Sequence, residues 1–175
     1  MQDRPEPVRL SEIVAAISLA TDLGMGQPLE QAMVTCLLSV EAGRELGLDD
    51  HGLADVYYLA LLRFVGCAAD ASETAAANGG DDIGERGGLA PVLNGDTGEQ
   101  LVHLLRHFAE SAPALSRIRL LAAELATGTR NAKRSIAEHC QVARMLAPRI
   151  GFSERVALYI GSPFEHWDGK GLPGE

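Results

Sequence analysis

Asp49-Asp-His-Gly-Leu-Ala-Asp-Val-Tyr-Tyr-Leu-Ala-Leu-Leu-Arg-Phe-Val-Gly-Cys67 is the stretch whose pattern sets the fold class. Leu53, Val56, Tyr57, Ala60, Leu61, Phe64 and Val65 recur at three- and four-residue spacing, the period of a helix and not the alternation of a half-buried strand. They form the widest apolar surface in the chain, so a helix ending near Ala68 is expected at the centre of the core. Upstream, Ile13, Val14, Ile17 and Ala20 follow Ser11, a candidate N-cap, and stop before Gly24. Pro28 opens a second helix through Leu29, Met33, Cys36, Leu37 and Val40 to Gly47. Downstream, Thr97 with Gln100 has capping-box spacing ahead of Leu101, Leu104, Leu105 and Phe108. Ser111 and Pro113 start a further helix, with Leu115, Ile118, Ala122 and Leu125 inward and Gly128 as its stop. The next, after Asn131, buries Ile136, Cys140, Ala143, Leu146 and Ile150, and Ser153 caps a last short one through Val156 and Ile160. The expectation is an all-α bundle of about seven helices, interrupted over residues 71–98 by a Gly-rich, acidic, irregular loop.

Size and composition narrow the function classes. A chain of 175 residues, 46% apolar, supports one core, so residues 1–175 are read as a single domain. The longest apolar run, at positions 56–62, is far shorter than a membrane helix of roughly 20 residues. The N-terminus carries no signal-peptide pattern, which points to the cytoplasm and away from membranes. Cys36, Cys67 and Cys140 are odd in number and widely spaced, as buried thiols are and as disulfide frameworks or thiolate zinc sites are not. A net charge of −9 argues against direct nucleic-acid binding and disfavours capture of a small anionic ligand, for which Arg63, Arg130, Lys133, Arg134 and Lys170 are a local basic exception.

Five histidines raise the question of a metal. Glu99, His103 and His107 share one helix face, but that face is opposite the Leu101 stripe and is expected in solvent. His51 sits at a helix start and reads as a surface residue. His139, beside Cys140 at the edge of an apolar stripe, reads either as a hydrogen-bonded core residue or as a ligand, with Glu165, His166 and Asp168 as company from the C-terminal turn.

Phe164-Glu-His-Trp-Asp-Gly-Lys-Gly-Leu-Pro-Gly174 resembles the His-His-Glu-x-Trp/Tyr-Asp-Gly-x-Gly-Tyr-Pro motif of HD-GYP domains, metal-dependent phosphodiesterases of cyclic di-GMP. Tyr57-Tyr-Leu-Ala-Leu-Leu-Arg-Phe-Val-Gly-Cys67 resembles the helix with the family's Leu-Leu-His-Asp-Ile-Gly-Lys, and His139-Cys-Gln-Val-Ala-Arg-Met-Leu resembles its next metal-histidine helix. The resemblance covers about residues 20–174 and extends to divergent HD-type modules at the N-terminus of actinobacterial LuxR-type regulators, which share Leu-Leu-Arg-x-x-Gly-Cys.

The departures from that pattern govern the functional reading. Arg63 and Phe64 stand at the metal dyad, Cys67 at its lysine, Pro163 and Phe164 at the paired histidines, and Gln27 near the early histidine. His139 alone survives from the ligand set, while Glu165, Asp168, Gly169, Gly171 and Pro173 keep the motif's frame and Leu172 replaces its tyrosine. The chain also stops before the helix that gives the family a last metal aspartate, so it reads as C-terminally truncated. The resemblance thus implies a degenerate, non-catalytic module for ligand sensing or assembly in signalling and transcriptional regulation. Arg63 and Lys170 are its ligand-binding candidates, a small molecule or nucleotide its expected ligand, and a homodimer is compatible with it. No cofactor is expected. The alternative is a phosphohydrolase of the cyclic di-GMP phosphodiesterase type, with divalent iron or manganese on His139, Glu165 and Asp168 and help from Asp70, Glu73, Asp81 or Asp82. A third reading is a helical dimerisation unit with no ligand.

Overall fold

A computed structural model describes residues 8–67, 69–77, 79–90, 97–110, 112–166, 169 and 171. Among them the chain forms eight α-helices and no strand: α1 (Leu10–Gly24), α2 (Gln31–Glu45), α3 (Asp50–Leu62), α4 (Ala71–Ala77), α5 (Asp82–Leu89), α6 (Thr97–His107), α7 (Ala114–Ile150) and α8 (Glu154–Ile160). The all-α expectation holds. No helix among the described residues is long and apolar enough to cross a membrane.

The core joins α1, α2, α3, α8 and the C-terminal half of α7 through Val14, Cys36, Leu61, Leu62, Ala143, Ala147 and Ile160. Local chemistry fixes where these helices start. Asp49 caps α3 by accepting from the Gly52 N–H at 2.8 Å. Ser153 caps α8 in the same way, accepting from the Val156 N–H at 3.3 Å. The carboxylate of Asp55 on α3 pairs with Arg155 on α8, and the Tyr58 ring packs at a tilt against that of Phe152, centroids 4.8 Å apart, so α8 and the turn before it are held against the central helix.

The structure departs from expectation in α2, which starts at Gln31 and not at Pro28 and leaves Leu29 and Leu37 exposed, and at four further places. The first N-cap is Arg9, two residues before Ser11; its N–H donates to Glu12 at 3.0 Å, which lets the helix begin earlier. Residues 71–98 are not wholly irregular, since they contain α4, α5 and the start of α6. Asp81 caps α5 through the Gly84 N–H at 2.8 Å. A buried arginine anchors the same helix, and together they offset the low propensity of its glycines. Gly128 does not stop a helix: α7 runs unbroken for 37 residues. One interior glycine costs only about 1 kcal/mol relative to alanine, too little to interrupt a helix this long. The stop lies instead at Gly151, in the left-handed region at φ 101°.

The fourth departure is in which faces turn inward. Phe108 is buried, yet Leu101 and Leu105 are exposed, as are Leu115, Ile118 and Leu125 on the N-terminal half of α7. Arg117 explains part of this, donating from Nε to the Phe108 carbonyl at 3.0 Å and from Nη2 to that of Arg106 at 2.7 Å. It satisfies the carbonyls at the end of α6 and joins the helices by polar contact, leaving both leucine stripes bare. His103, expected in solvent, is half-buried against Gly88, with its ring 4.9 Å from that of exposed His107.

Candidate functional site

Five segments meet behind the end of α3: the α1–α2 turn, the turn following α3, α4, α5 and the middle of α7. Their meeting depends on Gly66, whose missing side chain lets the turn lie directly on the His139 carbonyl of α7. Four residues later the chain delivers Asp70, and the carboxylate and the His139 ring are buried together.

Asp70 is saturated with donors. His139 Nε2 lies 2.7 Å from Oδ1. An ionised carboxylate only accepts, so this nitrogen carries the hydrogen that binds it. Arg86 Nη2, from α5, donates to the same oxygen at 3.0 Å. The Ser135 hydroxyl donates to Oδ2. Ser135 and His139 are one helical turn apart and so reach the carboxylate from the same face of α7. Burial by itself would raise the Asp70 pKa, but the hydrogen bonds from Ser135 and His139 and the charges of His139 and Arg86 outweigh it and hold the carboxyl at about 2.

Arg86 is spread over the whole crevice. Nη1 donates to the Cys67 carbonyl and lies 3.3 Å from the Met25 sulfur, while Nη2 also reaches Thr74 Oγ1 at 3.3 Å. The backbone of Gly87 approaches that of Gly26 so closely that a Cβ would be 2.7 Å from the Gly26 carbonyl oxygen. This glycine pair lets α5 come near enough for its arginine to enter. Burial pushes the neighbouring Cys67 thiol up to about 12 despite the opposing pull of Arg86, which favours the protonated sulfur.

Arg63 closes the end of α3, with its guanidinium carbon 4.3 Å from the Phe64 ring centroid. Burial lowers its pKa, and the nearby Asp22 carboxylate works against that shift. Asp22 is fully buried, and its Oδ2 accepts from the Ala32 N–H at 2.9 Å, fixing the start of α2. Glu165 works in the C-terminal turn, where its Oε1 accepts from the N–H groups of His166 at 3.0 Å and Gly171 at 2.9 Å. Asp168 and Lys170 lie outside the described residues.

The alternative reading assigns a divalent metal to His139, Glu165 and Asp168, of which only His139 and Glu165 are described, and His139 is committed to the Asp70 crevice. His139 Nε2 donates to Asp70, and both Asp70 oxygens accept hydrogen bonds, one of them from the Arg86 guanidinium, so a cation at this carboxylate would have to displace these donors. Among the described residues no group of three or more His, Cys, Asp or Glu side chains is placed to hold a metal ion. Sequence reasoning singles out His139 and names Asp70, but misses Arg86, Ser135 and Thr74. Two signals point to them: the four-residue spacing of Ser135 and His139, and the Gly87-Gly88 pair beside a lone arginine in an acidic segment.

No protein-family model and no solved structure matches the chain. It spans 35% of the length of a curated relative that it does match. Over 165 residues, 94% of this chain, it is 27% identical and so similar to the 3'3'-cGAMP-specific phosphodiesterase 3 of Vibrio cholerae serotype O1.

Proposed function

We propose that this chain is a degenerate HD-GYP-like module that performs no metal-dependent turnover and serves ligand sensing or assembly in cytoplasmic signalling. The observation that carries the reading is Arg86, a permanent cation bound to the carboxylate that, with His139, is the remaining ligand chemistry of the crevice. The kinship itself is supported by the motif at positions 164–174 and by the likeness to a phosphodiesterase across nearly the whole chain. A small molecule or nucleotide is the ligand class, with Arg63 and Lys170 as anchors, and a LuxR-type regulator is the setting that the Leu-Leu-Arg-x-x-Gly-Cys segment supports. No cofactor, membrane or direct nucleic-acid contact enters this reading.

Protein purified without chelator is expected to contain well under one manganese, iron or zinc per chain by elemental analysis, roughly a tenth or less. In excess over 3'3'-cGAMP or cyclic di-GMP, with manganese or iron(II) added, it should yield no linear product above a protein-free blank. The enzymatic alternative rests on the phosphodiesterase relative and assigns His139, Glu165 and Asp168 to a metal. Turnover in the parent that disappears in H139A would establish that alternative and overturn the first reading.

A further inference from the structure

The N-terminal half of α7 carries an apolar stripe that nothing among the described residues covers. Ile118, Ala122 and Leu125 fall at four- and three-residue spacing, and Ile118 and Leu125 are 67% and 59% exposed. The same helix face farther along, at Ala143 and Ala147, is packed into the core. Residues 114–134 hold Arg117, Arg119, Arg130, Lys133 and Arg134 against the single acid Glu124, in a chain whose net charge is −9. At about 100° per residue, Arg119, Arg130 and Lys133 fall along one flank of the stripe. Two copies of this half-helix laid on each other would bring cation to cation, so its partner should be apolar and acidic.

The outer face of α2 has that character. Val34 and Leu38 are exposed, Leu37 is 72% exposed, and Glu41 and Glu45 continue the line of Val34 and Leu38 along the helix. Both helices run from apolar to charged in the direction of the chain. Laid parallel, one register places Ala122 on Val34, Leu125 on Leu37 and Leu38, Arg130 beside Glu41 and Lys133 beside Glu45. Glu41 is already paired with Arg44 at 2.9 Å, but that pair is solvent-exposed and weak enough to exchange.

We infer that the chain associates with a second copy of itself, α7 of each protomer lying parallel on α2 of the other in a two-fold dimer. The two-fold makes the contact twice, and the inference holds whether or not the module turns over a substrate.

Sedimentation velocity on the full chain tests it, and the charge design gives a test in trans. Variant R130E/K133E alone, and variant E41K/E45K alone, each oppose like charges at both contacts and should be monomeric. In a one-to-one mixture both contacts become complementary, and the dimer should return. L125E should weaken dimerisation about ten-fold or more, the effect of about 1.4 kcal/mol, without loss of helicity, since the side chain is exposed. A parent chain that stays monomeric to about 100 μM, a concentration well above that of a weak micromolar dimer, would overturn the inference. So would a mixture as monomeric as its components, or a dimer indifferent to L125E.

Discussion

Alanine at Arg86 is expected to lower the stability of the chain by about 3 kcal/mol, because it removes one partner of a buried ion pair and leaves Asp70 charged and short of a donor. Both side chains are only 10% exposed, so the small values measured for exposed pairs do not apply. D70A should cost a similar amount by stranding the guanidinium. The double variant should cost less than the two together, with a coupling of about 1 to 3 kcal/mol in a urea-unfolding cycle. The same carboxylate sets an acid limit. Its pKa is about 2 in the folded chain against an ordinary value of 3.8, so the unfolded chain takes up the proton first as pH falls. The contribution is complete above about pH 4 and is lost as pH falls through about 2, amounting to about 2 kcal/mol at about 1.36 kcal/mol per pH unit. D70N should flatten that part of the stability profile. An R86A chain as stable as the parent, or additive single losses, would show that the guanidinium does not hold this crevice together.

What the sequence reveals, and what it hides, follows from how local each signal is. The α3 stripe is readable because Leu61 and Leu62 enter the core on a helix with its own cap at Asp49. The extent of α7 misleads at Gly128, where the local propensity weighs against a helix but the cost of one glycine is small beside the length of helix on either side. The inward face of α6 and early α7 misleads for a different reason. Periodicity reports that a stripe exists and not what covers it, and Leu115, Ile118 and Leu125 form a good stripe that remains in solvent. His139 is legible as a histidine at the core's edge. Its setting is not, because Asp70, and the Arg86 bound to Asp70, come from outside the helix of His139, in or beside a segment whose glycines read as loop. The helix α5 exists through a long-range anchor, and such anchors leave no trace in a window of neighbouring residues.

Gly66 is the glycine of the Asp70 crevice that seats the turn after α3 on α7, and its replacement should be felt strongly. A Cβ there would collide with the His139 carbonyl oxygen, lie 2.9 Å from its carbonyl carbon and 3.3 Å from the Ala143 nitrogen. All three atoms belong to the backbone of α7, so no rotamer change can make room, and the helix or the turn must move. Moving α7 carries His139 and Ser135 away from Asp70, so the strain of overpacking adds to the loss of buried hydrogen bonds. G66A is therefore expected to cost about 3 kcal/mol or more in urea unfolding, as a lower midpoint at unchanged slope. Two other glycines calibrate this value. A Cβ at Gly24 meets nothing within 4 Å. G24A should therefore differ from the parent by about 0.5 kcal/mol at most. At Gly161 the obstacle is the Arg144 side chain, which can swing aside. G161A should accordingly cost about 1 kcal/mol, between the two. The Val65-Gly66 step after α3, where the chain resembles the HD-GYP pattern, thus has a packing cause independent of any metal. If G66A proved as mild as G24A, the close seating of the α3 turn on α7, and with it the burial of the Asp70–His139 pair, would be wrong.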